Sequence, residues 1–283
     1  MDRRRKIIGY LVALTAAVVQ LAVQTTPASA AGPGGDGWGV PVKRTATVFR
    51  GHGFDTCEAP PLTTLSAWRN SDYRAVGVYF AGRARACPRQ RWLSSAWLTG
   101  ARDLGWKVLP VFVGSQSPCV RASNKRGFLI GDDPYDQGID EGQEAVRAAG
   151  ALGIVSGSPL YLDMEAYDDK DDDCARTTLS YIRAWTATVN RFGYLSGFYS
   201  SAESGVRHME RARRNGTDDL PDVVWFARWR VPGNTAGEPV LSASAWAPHR
   251  RIHQYAGNVT ETYGGRKLTI DRNLIDAPVA VIE

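Results

Sequence analysis

From about residue 48 to the end of the chain, short apolar runs alternate with longer segments of helical periodicity, and this alternation constrains the fold more than any other feature. Eight runs read as strands: Val48 to Asp55, Ala75 to Phe80, Lys107 to Val113, Leu160 to Glu165, Leu195 to Ser200, Val223 to Trp229, Arg251 to Tyr255 and Lys267 to Asp271. Between them, Arg91 to Leu104, Gln137 to Leu152, Thr177 to Phe192 and Ala202 to Arg214 are amphipathic and of ordinary helix length. Such alternation predicts parallel strands with helical crossovers. Eight strands predict an α/β fold, a closed TIM-barrel-like (β/α)8 in one domain over residues 47–283, rather than an open doubly wound sheet. No Gly-x-Gly-x-x-Gly follows a strand, which removes the main support for dinucleotide binding.

The first 30 residues have a basic start, an apolar stretch from Ile7 to Val23, and the small residues Ala28-Ser29-Ala30. That order predicts a secretory signal cleaved after Ala30, with an uncleaved anchor as the alternative. Arg3, Arg4 and Arg5 are compatible with either Sec or twin-arginine export. Residues 31–46 are rich in Gly and Pro and read as a linker. Arg3, Arg4, Arg5 and Lys6 against Asp2 supply 3 of the 5 net positive charges, so the mature chain is nearly balanced and nucleic acid is not an expected partner. After cleavage the chain is expected to be a secreted or wall-associated monomer with no stable membrane insertion.

Cys57, Cys87, Cys119 and Cys174 have no Cys-x-x-Cys spacing and no paired His, so a zinc site is not expected. An even count in an exported chain predicts two disulfides, for which sequence alone allows three connectivities. Each cysteine follows one of the first four strands, and neighbouring loops favour Cys57 with Cys87 and Cys119 with Cys174. No metal or cofactor is expected; Asp168 to Asp173 lacks the glycine pattern of a calcium loop and reads as a solvated turn.

In such barrels chemistry sits at the C-terminal ends of the strands. Acids stand there at Asp55, at Asp163 and Glu165, and at Asp271. Asp163 and Glu165 are two apart, so both side chains leave one face of a strand. Carboxyls crowded at low dielectric raise at least one pKa and keep a proton where a general acid needs one. A single strand-end acid more often caps a helix or meets an arginine; four converging together are harder to explain that way.

Asp55, Asp163-Met164-Glu165, Gly197-Phe198-Tyr199, Trp225-Phe226-Ala227-Arg228-Trp229, His253-Gln254-Tyr255 and Asp271-Arg272-Asn273 resemble, in order and spacing, the motifs of glycoside hydrolase family 25 lysozymes. Gly53-Phe54-Asp55-Thr56-Cys57 and Gly197-Phe198-Tyr199-Ser200-Ser201 resemble more closely the glycoside-hydrolase-like domain family catalogued as domain of unknown function 1906, found in exported actinobacterial proteins. The resemblance spans about residues 50 to 276. It implies a glycosidase barrel acting on a cell-wall β-1,4 glycan, with Glu165 as general acid, Asp163 orienting an acetamido group or stabilising the positive centre, and Asp55 and Asp271 in support. Retaining, inverting and substrate-assisted paths all stay open.

This chain departs from the lysozyme pattern at Thr56-Cys57, where a Gln usually follows, and at Val78-Tyr79, where an Arg-Tyr pair is common. Binding without cleavage is therefore the alternative function. A family 18 chitinase would need a further Asp at the position of Tyr161, and no Gly-x-Ser-x-Gly turn supports a serine hydrolase. Tyr79, Tyr199, Trp225, Trp229 and Tyr255 are the candidate sugar contacts among the aromatics, with core packing as the competing role. Gln254 either donates to a sugar hydroxyl or satisfies buried backbone, and His253 reads as structural. Arg228 either holds a carboxylate in its working geometry or pairs with Asp271.

Overall fold

The computed structural model describes residues 46–283; the expected signal and all but the last residue of the expected linker lie outside them. The order of elements is β1 (Thr47–Asp55), α1 (Leu62–Trp68), β2 (Tyr73–Ala81), α2 (Ser95–Asp103), β3 (Lys107–Phe112), α3 (Pro134–Ala151), β4 (Pro159–Asp163), α4 (Asp172–Arg191), β5 (Leu195–Ser201), α5 (Arg207–Arg214), β6 (Val223–Ala227), β7 (Arg251–Tyr263) and β8 (Arg266–Val279). The eight strands close into one barrel in sequence order.

Local chemistry sets the helix starts. The Ser94 hydroxyl accepts from the Trp97 N–H at the head of α2, and Pro134 opens α3, where its missing N–H costs nothing. The Asp171 carboxylate caps α4 by accepting from the Cys174 N–H at 3.0 Å, and Asp172 and Asp173 fill the first turn, where negative charge favours the helix dipole. The acidic run is thus not only a solvated turn. Asp169 is buried and bound by Arg207 at 2.6 Å and Arg211 at 3.2 Å, which tie the run to α5.

Strand parity divides the core into two layers. Val76, Val78, Leu160, Leu162 and Phe198 point outward and pack under the helices with Trp185 and Tyr181. Ala75, Leu109, Val111, Tyr161, Trp225 and Ile275 point inward and fill the barrel. The small residues Gly77 and Gly197 make room for this filling: an added Cβ would stand 3.2 Å from the Trp225 ring and 2.3 Å from the Tyr161 ring. By the same parity Asp55, Tyr79, Asp163, Tyr199 and Gln254 sit in the inward rows above that filling.

The last strand departs from the all-parallel expectation. β1 to β7 are parallel neighbours, but β8 runs antiparallel to both β7 and β1. β7 and β8 form a long hairpin turning at Gly264 and Gly265, whose φ angles of 53° and 73° are in the left-handed region that the turn requires. Its tip folds back onto α1: the Tyr263 ring meets Trp68 at 5.1 Å, and the Trp68 Nε1–H donates to the Arg266 carbonyl at 2.9 Å. The hairpin covers the aromatic group Phe54, Trp68 and Tyr73, where each ring pair adds about 1 kcal/mol beyond its buried area.

Candidate active site

Two buried amides build the frame. The β3 end continues into Gln116, whose Nε2 donates to the Asp163 carbonyl at 2.9 Å and whose Oε1 accepts from the Glu165 N–H at 2.8 Å. Gln116 therefore fixes the backbone on both sides of Met164, where β4 has already ended. Gln254 on β7 does the same for side chains. Its Oε1 accepts from the Tyr199 hydroxyl and the Trp229 indole, each at 2.9 Å, and its Nε2 donates to Asp55 at 3.1 Å and reaches Asp271 at 3.5 Å.

The four acids meet at one rim. Asp55 is buried, accepting from the Tyr79 hydroxyl at 2.7 Å on one oxygen and from Asn273 at 2.8 Å and Gln254 at 3.1 Å on the other. Burial nevertheless raises its pKa, against the lowering effect of those donors. Asp271 stands directly opposite Asp55 in the antiparallel β1–β8 register. It is not the end of a parallel strand, as its sequence position suggests, but a descending residue brought to the same rim by register. Its Oδ1 accepts from the Asn258 N–H at 2.6 Å, while burial and the charges of Asp55 and Glu165 push its pKa up to about 7.

Asp163 is buried, and its Oδ1 has no hydrogen-bond partner. Burial first, then the neighbouring Glu165 and Asp55 charges, raise its pKa well above the usual carboxylate range. An unpaired buried carboxylate is costly, which favours the neutral acid over the charged one. Glu165 lies just past the strand and is the more exposed of the pair.

Two hollows share Glu165. One, of about 420 Å³, is lined by all four acids together with Tyr79 and Lys125. The other, of about 320 Å³, is walled by Tyr199 and Trp229. The cleft thus has an acid-lined lobe and an aromatic lobe on either side of one carboxyl. Disulfides join Cys57 to Cys87 and Cys119 to Cys174, with Cα separations of 5.7 and 5.9 Å, and the first forms part of the wall of the acid lobe.

Several expected contacts lie elsewhere. Trp225 is buried in the barrel interior, edge-on to Tyr161 and Tyr199, with its N–H given to Asn273 at 2.8 Å; inward parity below the rim keeps it from a sugar. Tyr255 has the opposite parity from Gln254 and packs on Gly233 and His253 outside both lobes. Gln254 is spent on its four protein partners. Arg228 binds Glu238 at 2.8 Å and Glu203 at 2.7 Å instead of Asp271, and so anchors the loop after β6. His253 is structural, stacking on Phe226 and bonding the Arg228 carbonyl and the Asn234 N–H.

The residues missed from sequence are Gln116, Lys125, Asn258 and Asn273. Asn273 carried a signal, since it follows Asp271 by two and shares its face. The other three sit on loops or the hairpin, where only the folded chain brings them to the rim.

Comparison with known proteins agrees with this architecture. The model of the Rv2525c-like, glycoside hydrolase-like domain matches residues 66–275. No curated protein matches the chain in sequence. Among solved structures, the Mycobacterium tuberculosis Tat-secreted protein Rv2525c in complex with L-tartrate is 16% identical, with 80% of this chain and 96% of that one covered at a TM-score of 0.53. An uncharacterized B. stearothermophilus protein is 21% identical over 80% of this chain and 95% of that one, at 0.50. The Clostridium perfringens spore cortex lytic enzyme SleM is 12% identical over 80% of this chain and 67% of that one, also at 0.50. At these identities the structures show a shared barrel, while the family model covers most of the chain: this protein belongs to the Rv2525c-like glycoside hydrolase-like domain family.

Proposed function

We propose that this chain is an exported glycoside hydrolase of lysozyme type, cutting a β-1,4 glycan of the bacterial cell wall. The observation that carries the reading is the meeting of four carboxyls at one rim, with two lobes sharing Glu165. Cleaving a glycosidic bond needs a proton on the leaving oxygen while positive charge grows on the sugar ring. A glycan laid across the rim would bring one linkage over Glu165, which acts as general acid. Asp163 orients the acetamido group. Tyr79, Gln254 and Asn273 hold Asp55 rigid, and Asp271 completes the field.

In the aromatic lobe, Trp229 is 44% exposed and supplies, with Tyr199, the ring face on which a sugar stacks. A wall glycan as substrate is further supported by the company the fold keeps: SleM is a spore cortex lytic enzyme, and the Streptococcus pneumoniae autolysin LytC is known in complex with a synthetic peptidoglycan ligand. Two disulfides support an oxidising destination, reached after cleavage behind Ala30. Among the described residues no helix is long and apolar enough to cross a membrane.

Digestion of purified, unlabelled peptidoglycan, followed by mass analysis of released fragments, tests the reading. The wild type releases fragments with new reducing ends. Glu165→Gln loses roughly a hundredfold or more of that release, the usual scale for a general acid, with unchanged circular dichroism. No release by the wild type, or undiminished release by the variant, rejects it.

One feature favours a second reading, a wall-binding module without turnover: both oxygens of Asp55 are committed to protein donors. That reading predicts retention on walls, no new ends, and binding that survives Glu165→Gln.

A further inference from the structure

Glu141 lies on α3, is 8% exposed and lines neither lobe of the cleft. Its Oε1 accepts from the Ser115 hydroxyl at 2.6 Å and from Gln137 Nε2 at 3.2 Å. Its Oε2 accepts from the Ser115 N–H at 2.8 Å and from the Tyr181 hydroxyl. Four donors fill the two oxygens, and none of them is a cation. A carboxylate offers about four acceptor sites, whereas the amide of a glutamine in its place would turn N–H groups of its own toward two of the donors. Gly114 leaves room for this contact, since a Cβ there would collide with the carboxylate and with the Tyr181 hydroxyl.

Ser115 directly precedes Gln116, whose amide holds the Asp163 carbonyl and the Glu165 N–H. On its other side Gln116 is held by backbone bonds, its N–H donating to the Phe128 carbonyl and its carbonyl accepting from the Ile130 N–H, each at 2.8 Å. Gln137, one turn before Glu141, ties the two sides together: its Nε2 donates to the Ser115 hydroxyl at 2.6 Å and its Oε1 accepts from the Gly131 N–H at 2.9 Å. A side-chain amide aimed at two backbone groups tolerates little movement of its own Cα, because hydrogen bonds weaken steeply with misalignment. Resting on the glycan reading above, we propose that Glu141 is a positioning residue: by gripping Ser115 it sets the Gln116 amide, and through that amide the placement of Asp163 and Glu165 at the rim. The competing role is a staple between α3, α4 and the end of β3 that serves stability alone, and the two roles predict different outcomes.

The test compares the mature wild type with Glu141→Gln in two measurements. Native-state hydrogen exchange followed by NMR reads the Glu165 N–H, whose acceptor is Gln116. A positioning role predicts exchange roughly tenfold faster at that amide, the scale of one lost hydrogen bond, with the amides of β5 unchanged. Digestion of purified peptidoglycan reads the consequence: kcat per folded molecule falls roughly tenfold while KM stays the same, since Glu141 lies outside both lobes. Ser115→Ala removes only the hydroxyl link and gives a smaller effect in the same direction on both measurements, so it decides the matter if Glu141→Gln fails to fold. Unchanged exchange at Glu165, or faster exchange spread evenly over the barrel with kcat per folded molecule unchanged, assigns Glu141 to stability alone and overturns the proposal. Absence of turnover by the wild type overturns the glycan reading instead, and the exchange measurement then still decides whether Glu141 sets the Glu165 backbone.

Discussion

Asp271→Asn should change how stability depends on pH. In the folded chain Asp271 is held up to about 7 from an ordinary value of 3.8, because it is half-buried opposite Asp55 and near Glu165. A carboxyl whose folded pKa is raised favours folding while it is protonated in the barrel. Its contribution is complete below the unfolded value and is lost as pH rises through the folded one, here between about pH 4 and 7. A shift of this size is worth at most about 4 kcal/mol, and partial exposure and coupling to the other acids reduce it to about 2 kcal/mol. Urea unfolding from pH 4 to pH 8 reads this directly. The wild type should lose about 2 kcal/mol more than Asp271→Asn across that window, whatever constant offset the substitution brings. Parallel stability profiles would refute the claim that crowding and burial leave a proton on this carboxyl.

Other outcomes follow from single contacts. Gln116→Ala strands the Asp163 carbonyl and the Glu165 N–H and should cost about 3 kcal/mol in denaturant unfolding, because buried polar groups lose their partners. Arg228→Ala leaves the buried Glu238 carboxylate without its cation and should cost about 3 to 5 kcal/mol in denaturant unfolding. Trp229→Ala should weaken retention on cell walls by roughly fivefold, since about 1 kcal/mol of ring stacking is removed, and should lower Tm slightly because Gln254 loses the indole N–H. Reduction should lower unfolding stability by about 4 kcal/mol per disulfide on the chain-entropy scale, the bridges spanning 30 and 55 residues.

The rows of side chains that build the cleft are legible in the sequence because strand parity is a local rule. Asp55, Asp163 and Tyr199 can be assigned inward from their neighbours alone, and so can the clash of parity that sends Tyr255 away from Gln254. The direction of β8 was also written there: Gly264-Gly265 between alternating residues is a hairpin signal, and it sets the register that brings Asp271 to Asp55. Trp225 shows the limit of parity, which gives the face of a strand but not the depth at which a side chain sits. Arg228 shows another limit, since three carboxylates compete for one guanidinium and only packing decides among them. Lys125 and Gln116 reach the site from a turn and a loop whose course no periodicity records.

Hydrolysis at this site requires a wall glycan to lie across the rim with its linkage over residue 165. A crystal structure of Glu165→Gln with a tetrasaccharide of alternating N-acetylglucosamine and N-acetylmuramic acid tests it most directly. Sugar rings should occupy both lobes, one stacked on Trp229, with a glycosidic oxygen within hydrogen-bond reach of the residue 165 side chain. A saccharide bound elsewhere on the barrel, or lying in the cleft with no linkage near that side chain, would contradict it.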